Sequence, residues 1–123
     1  MKWLFKTEPS DYSFERLLKD GKTRWDGVRN ALALRHLRGV RKGDLVAIYH
    51  TGSVKAVVGI ARAAADAAGD AVAIVPVRAV TPVPLAAIKA DPRFRDFPLV
   101  RMGRLAVMPV PDPLWEPLSS GPV

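Results

Sequence analysis

Between Gly43 and Val80 the chain repeats one pattern, a glycine turn followed by a short apolar run, and nothing else in it limits the fold as tightly. Gly43-Asp44 is a turn and Leu45 to Tyr49 a strand. Ala56 to Ala64 is the next strand, and Gly59 inside it marks a bulge or a close backbone approach. Gly69-Asp70 turns the chain again into Ala71 to Val80, where Pro76 calls for an edge or a bulge. Earlier, Lys2 to Lys6 alternates around Trp3 and Phe5 as a first strand, and Arg104 to Met108 reads as the last. Helices fit between them. Ser13 caps one over Phe14 to Lys19, with Gly21 just past its end. Asp26 caps a second that runs through Val28 to Arg38, with Leu34 and Leu37 on its apolar face and Gly39 as its stop. Leu85 to Lys89 is a short third, and Pro109, Pro111, Pro113 and Pro117 make a stiff tail around Trp115. The expected class is α+β: a small, partly closed β-barrel of about five or six strands with peripheral helices.

At 123 residues the chain is expected to form one domain, 1–123. It contains no cysteine, which excludes disulfides, thiolate metal sites and a cysteine nucleophile, and fits a reducing, cytoplasmic setting. His36 and His50 are its only histidines, too few for a zinc site without cysteine partners. No phosphate-binding glycine loop, nucleophile elbow or zinc-binding His-Glu-x-x-His helix is present, so neither metal nor organic cofactor is expected. The apolar run Trp3-Leu4-Phe5 is too short for a secretory signal, and no stretch approaches the length of a membrane span. A soluble monomer is expected.

Nineteen Lys and Arg against twelve Asp and Glu leave a net charge of +7. The excess is clustered. Arg16 to Lys42 carries nine basic residues, among them Arg24, Arg29, Arg35, Arg38 and Arg41, and only two acids, Asp20 and Asp26. A second group joins Lys89, Arg93, Arg95, Arg101 and Arg104. Clustered positive charge is the footprint of a polyanionic partner, although it also serves as a solubilising surface. Arg24, Arg29, Arg35, Arg38, Arg41, Lys42, Arg101 and Arg104 are therefore candidate phosphate contacts.

Within that basic stretch lies Trp25-Asp26-Gly27-Val28-Arg29-Asn30. A flat indole can stack on a base, an amide can read a base edge, and a guanidinium can hold a phosphate. Two further polar groups end strands. Lys6-Thr7-Glu8-Pro9 follows the first, and Tyr49-His50-Thr51-Gly52 follows the second. Each has a plainer explanation: Trp25 as core, His50 as a satisfied structural group, Lys6 and Glu8 as a surface ion pair worth about 0–1 kcal/mol. Together they read as a pocket for one nucleobase.

At these residues the chain resembles the EVE-domain family, within the PUA-like superfamily. The resemblance is carried by Trp3 to Pro9, Trp25 to Asn30, Leu37-Arg38 with Lys42-Gly43-Asp44, Tyr49-His50-Thr51 with Val58 to Ala61, and Leu99 to Arg101 continuing through Arg104 to Val110. It implies a PUA-like barrel and a non-enzymatic reader of DNA or RNA, with a pocket for a flipped, modified base of the cytosine type. It implies that Lys6, Thr7, Trp25, Asp26, Gly27, Asn30, Tyr49, His50 and Thr51 lie at or near that pocket. Three departures stand out. Leu34 replaces a usual Arg, Ala106 replaces a usual Ser, and the segment 53–76 is shorter than typical. The rival function is an amidohydrolase of acylated cytidine, like some ASCH proteins, built on Lys6, Thr7 and Glu8; a small-ligand-binding module is a third possibility. Strand alternation separates Thr7 from Lys6 and Glu8, which is awkward for a nucleophile–base pair.

Overall fold

Six strands and five α-helices make up the chain in a computed structural model that describes residues 1–120. The strands are β1 (Lys2–Thr7), β2 (Thr23–Trp25), β3 (Leu45–His50), β4 (Ala56–Ala63), β5 (Val72–Pro84) and β6 (Val107–Pro109). The helices are α1 (Phe14–Asp20), α2 (Ala31–Arg38), α3 (Leu85–Ala90), α4 (Pro98–Arg101) and α5 (Asp112–Ser119). The strands form one mixed sheet in the order β2-β5-β4-β3-β1-β6. Only the β1–β3 pair is parallel.

The sheet is curled. β2 and β1 have three strands between them in the sheet order, yet the rings of Trp25 and Phe5 lie 5.4 Å apart. A flat sheet would hold strands so placed nearly 20 Å apart, at about 4.8 Å per step. This is the half-open barrel expected from the glycine-punctuated strands.

Two bulges bend it. Gly59 stands at a register shift in the β4–β5 ladder, and a Cβ there would come within 2.4 Å of the Phe14 ring. The missing side chain lets Phe14, 3% exposed, lie directly on the strand. Pro76 stands at the second shift, between Ile60 and Ala61. Because β2 reaches along β5 only to Ile74, the absent N–H of Pro76 costs no ladder bond on that side.

Helix ends follow local chemistry. The Ser13 hydroxyl accepts the Arg16 amide, and Gly21 closes α1 in the left-handed conformation at φ 73°. The second helix corrects an expectation. Asp26 is not its cap, because the chain stays irregular from Asp26 to Asn30 and α2 begins at Ala31. Asn30 is the cap, its side-chain oxygen accepting the Ala33 N–H at 3.0 Å. The last strand is also shorter than expected, starting at Val107. The proline-rich tail contains a helix, α5, with Pro113 in its first turn, where no amide is needed, and Pro117 inside. Burial of Leu118 against the sheet holds it there despite Pro117.

One buried polar hub anchors the far end of β1. The Asp44 carboxylate accepts the Trp3 indole N–H at 2.9 Å, the Arg41 amide at 2.9 Å and the Met1 ammonium at 3.0 Å. Burial pushes its pKa up, but these donors outweigh burial and hold it below the usual carboxylate value.

Two outcomes follow. Gly59→Ala should destabilise the protein by about 1–3 kcal/mol in urea unfolding, since the new methyl overlaps Phe14, and Phe14→Leu should recover part of that loss. Asp44 has a lowered folded pKa, so its contribution is complete above the unfolded value near 3.9 and is lost as pH falls through the folded value. Wild-type stability should therefore drop in that acid range, and the drop should be smaller in Asp44→Asn, which is already weakened at pH 7.

Candidate nucleic-acid interface

Where the curled sheet brings β2 toward β1, a cleft of about 560 Å³ opens. That is within the usual size of ligand sites, roughly 300–1,000 Å³. The indole of Trp25 forms part of its wall. Phe5 backs the ring at 5.4 Å, and Tyr12 meets it edge-on at 6.2 Å. Trp25 is only 8% exposed, so the ring is fixed by packing and keeps only part of its surface toward the cleft.

Around this wall the cleft takes Lys6, Thr7, Glu8, Asp11 and Tyr12 from the first strand and its following loop. It takes Thr23 to Asn30 from β2 and the irregular segment after it, and Arg104 and Ala106 from the loop before β6. Of the pocket residues expected from sequence, Lys6, Thr7, Trp25, Asp26, Gly27 and Asn30 meet here. Of the candidate phosphate contacts, Arg24, Arg29 and Arg104 do.

The rim is held by hydrogen bonds within the protein. The Thr7 hydroxyl donates to the Tyr12 carbonyl at 2.8 Å. The Lys6 ammonium donates to the Gly103 carbonyl at 2.7 Å, and its partial burial pushes its pKa below the usual lysine value. The Glu8 carboxylate accepts the Thr51 hydroxyl at 3.0 Å. Gly52, at φ 74°, passes so close that a Cβ would lie 2.7 Å from that carboxylate. Asn30 uses its side-chain oxygen on the helix cap, so its NH2 group remains as a donor at the cleft.

Three expected residues lie outside the lining. Tyr49 is 3% exposed in the core, with the Lys6 nitrogen 6.0 Å from its ring centre. His50 is also buried, and its Nε2 accepts the Phe14 N–H at 3.0 Å, which pins the start of α1. Thr51 acts through Glu8. The α2 cations sit elsewhere as well. Arg38 forks onto Asp70, the Arg41 guanidinium donates to the carbonyls of Arg38 and Val40, and Arg35 and Lys42 are exposed away from the cleft lining. Arg101 belongs to a second, shallower hollow with Lys89 and Arg95.

Tyr12, Asp11 and Thr23 were missed. Tyr12 precedes the Ser13 cap and carried no strand or helix signal; only its place five residues beyond Thr7 connects it to the rim. The residue types of the rival amidohydrolase do meet in the cleft. However, the Thr7 hydroxyl points its proton at a backbone carbonyl, and Lys6 and Glu8 bond to Gly103 and Thr51 rather than to Thr7. No nucleophile–base pair is formed. Among the described residues no cluster of His, Asp or Glu could hold a metal ion, and no helix is long and apolar enough to cross a membrane.

Residues 1–120 match the model of the EVE domain. The chain belongs to the EVE-domain family. Among solved structures it is similar to a protein from Rhodopseudomonas palustris, with 36% identity, a TM-score of 0.89 and coverage of 95% of this chain and 89% of that one. It shares its fold with human THYN1 protein, solved in complex with 5-methylcytosine containing DNA, at 22% identity and TM-score 0.87 over 94% and 93% of the two chains. The DUF55 domain of human thymocyte nuclear protein 1 has the same fold, at 22% identity and TM-score 0.84 over 94% and 95%. Among functionally curated proteins none matches the chain. The expectation of a cytoplasmic protein is corrected by the nuclear name of that relative: this fold is not a mark of the cytoplasm, and lack of cysteine does not make it one.

His50 provides a pH test of the frame around the cleft. Its Nε2 accepts a hydrogen bond only when neutral, and burial lowers its pKa, with Glu15 and Glu8 opposing. Between the folded value and the unfolded value near 6.5 the unfolded state binds the extra proton, so stability falls as pH drops from about 6.5. Urea unfolding at pH 7.5 and pH 5.5 should show this loss, and His50→Gln should reduce it while leaving the share from His36, also lowered by burial.

Proposed function

We propose that this EVE domain is a non-enzymatic reader that takes a single modified cytosine, flipped out of DNA, into the cleft beside Trp25. One observation supports this above the rest: a ring fixed on Phe5 forms part of the wall of a cleft that also holds an oriented amide and carboxylates. The DNA complex of human THYN1 protein, which has the same fold, agrees with it.

The chemistry of the base matches the lining. Cytosine offers an amino donor at N4 and acceptors at N3 and O2. The Asn30 NH2 group suits an acceptor, and a carboxylate such as Asp26 or Asp11 suits the amino group. Thymine would turn a carbonyl toward that carboxylate and be rejected. Ala106 and Val28 supply apolar surface for a substituent at C5. Flipping a base costs a few kcal/mol, and stacking on an aromatic ring returns about 1–3 kcal/mol. Arg24, Arg29 and Arg104 line the cleft, and their contact with flanking phosphates would make binding salt-dependent.

The test uses short DNA and RNA strands that differ only in one cytosine or 5-methylcytosine. Trp25→Ala would leave a hole in the core costing about 3–5 kcal/mol, so Trp25→Phe is the better probe of stacking. Asn30→Asp separates cap from reader, because Asp caps as well as Asn but has no NH2 to donate. Its melting temperature should stay near wild type while affinity for the modified strand falls about tenfold, the value of one lost hydrogen bond to the base. Unchanged affinity in both Trp25→Phe and Asn30→Asp would overturn the reading, and tighter binding of the RNA strands would redirect it to RNA.

A further inference from the structure

We propose that Met102 is a wedge that enters the base stack when the target base leaves it, carried on the Arg101–Arg104 loop at the mouth of the cleft. This rests on the base-flipping reading above and adds the residue that holds the duplex open.

Arg101, the last residue of α4, and Met102 to Arg104 after it are four consecutive exposed residues leading to the buried Leu105. Met102 is 45% exposed. Among the described residues the large exposed hydrophobics are Met1, Leu18, Val54, Val77 and Met102, and only Met102 stands within two residues of a cleft-lining position, Arg104. An exposed methionine alone needs no explanation. This one sits on a loop that the protein holds in place. The Met102 N–H donates to the Pro98 carbonyl at 2.7 Å, and the Leu105 N–H donates back to the Met102 carbonyl at 3.0 Å. Between them, Lys6 reaches from the cleft floor to the Gly103 carbonyl at 2.7 Å. The backbone is thus tied at three points while the side chain, unbranched and with three rotatable bonds, stays free to adapt.

A flipped base leaves two neighbours without a stacking partner. Proteins that distort duplexes fill such gaps with apolar side chains, methionine among them. Cations belong on both sides of a wedge, where the phosphates run. Arg104 lies on the cleft side. On the other side Arg101 is oriented by its bond to the Arg95 carbonyl, 2.8 Å, and opens with Lys89 and Arg95 onto the second hollow. Arginine, apolar tip, glycine and arginine in sequence give one insertion point between two phosphate contacts.

The experiment compares wild type, Met102→Ala and Met102→Leu on one 5-methylcytosine strand, single and in duplex, with 2-aminopurine beside the modified base to report unstacking. The wedge predicts that Met102→Ala binds the single strand like wild type, binds the duplex roughly tenfold more weakly and gives less 2-aminopurine fluorescence, while Met102→Leu keeps both. Equal affinity of Met102→Ala and wild type for the duplex overturns the wedge and leaves the cleft reading intact, and so does an equal loss on both forms. A wild-type protein that binds modified and plain single strands alike overturns the cleft reading, and the wedge with it.

Discussion

The contact between Trp25 and Phe5 is the constraint on which the rest of this structure depends. It joins an edge strand to one that the sheet order places four positions further on, and it is made only because the sheet curls. Register shifts accompany the curl, two in the β4–β5 ladder and one in the β3–β4 ladder. Gly59 removes a side chain so that Phe14 can lie on the strand, and Pro76 stands beyond the reach of β2, so its missing donor costs no bond on that side. Without the curl Trp25 would be an edge residue on solvent. With it, the same ring is a rigid wall, and its orientation costs nothing further when a flat ligand arrives.

Preorganisation extends around the rim. Thr7, Glu8, Lys6 and Asn30 each make a bond within the protein, and those bonds connect distant segments: β1 to the loop before α1, β1 to the turn after β3, β1 to the loop before β6. No buried side-chain nitrogen or oxygen among the described residues lacks a partner. A rim so arranged changes little on binding, which suits recognition by differential affinity better than chemistry that needs a mobile proton. Tyr49, His50 and Thr51 belong to this frame. They touch the elements that shape the cleft and do not face it.

Much of this was legible in the residues. The glycine and proline positions in the central strands foretold the bulges, and Ser13 with Gly21 bracketed α1 because caps act locally. The start of α2 was misread because Asp26 and Asn30 are both good caps, and spacing could not show that Gly27, at φ 77°, turns the chain between them. The helix around Pro117 was hidden because its stability comes from burying Leu118, a tertiary effect that overrides propensity. The site divided along the same line. Residues contiguous in sequence, Trp25 to Asn30 and Lys6 to Thr7, were found together. Tyr12 and Ala106 enter through the curl, and His50, which the family resemblance brought near the pocket, bonds to the start of α1 instead of lining the cleft.

The charge of the chain takes on a narrower meaning in this light. Of the cations between Arg16 and Lys42, Arg38 bonds to Asp70, and Arg16 lies near Asp20 and over the Tyr12 ring. Arg24, 4.0 Å from Asp26, and Arg29 line the cleft together with Arg104 from the loop before β6, among Glu8, Asp11 and Asp26. A polyanion would be drawn to the molecule by the net +7, but that attraction carries no sequence information. Near the wall the mixture of charges changes the sign of the problem: carboxylates there repel a phosphate and accept an amino group. Under the proposed function, the long-range field would govern encounter with the backbone, and the short-range lining would govern which base can leave the stack and stay. Those two functions have different salt dependence, which is why selectivity for the base should persist at ionic strengths that abolish binding to unmodified strands.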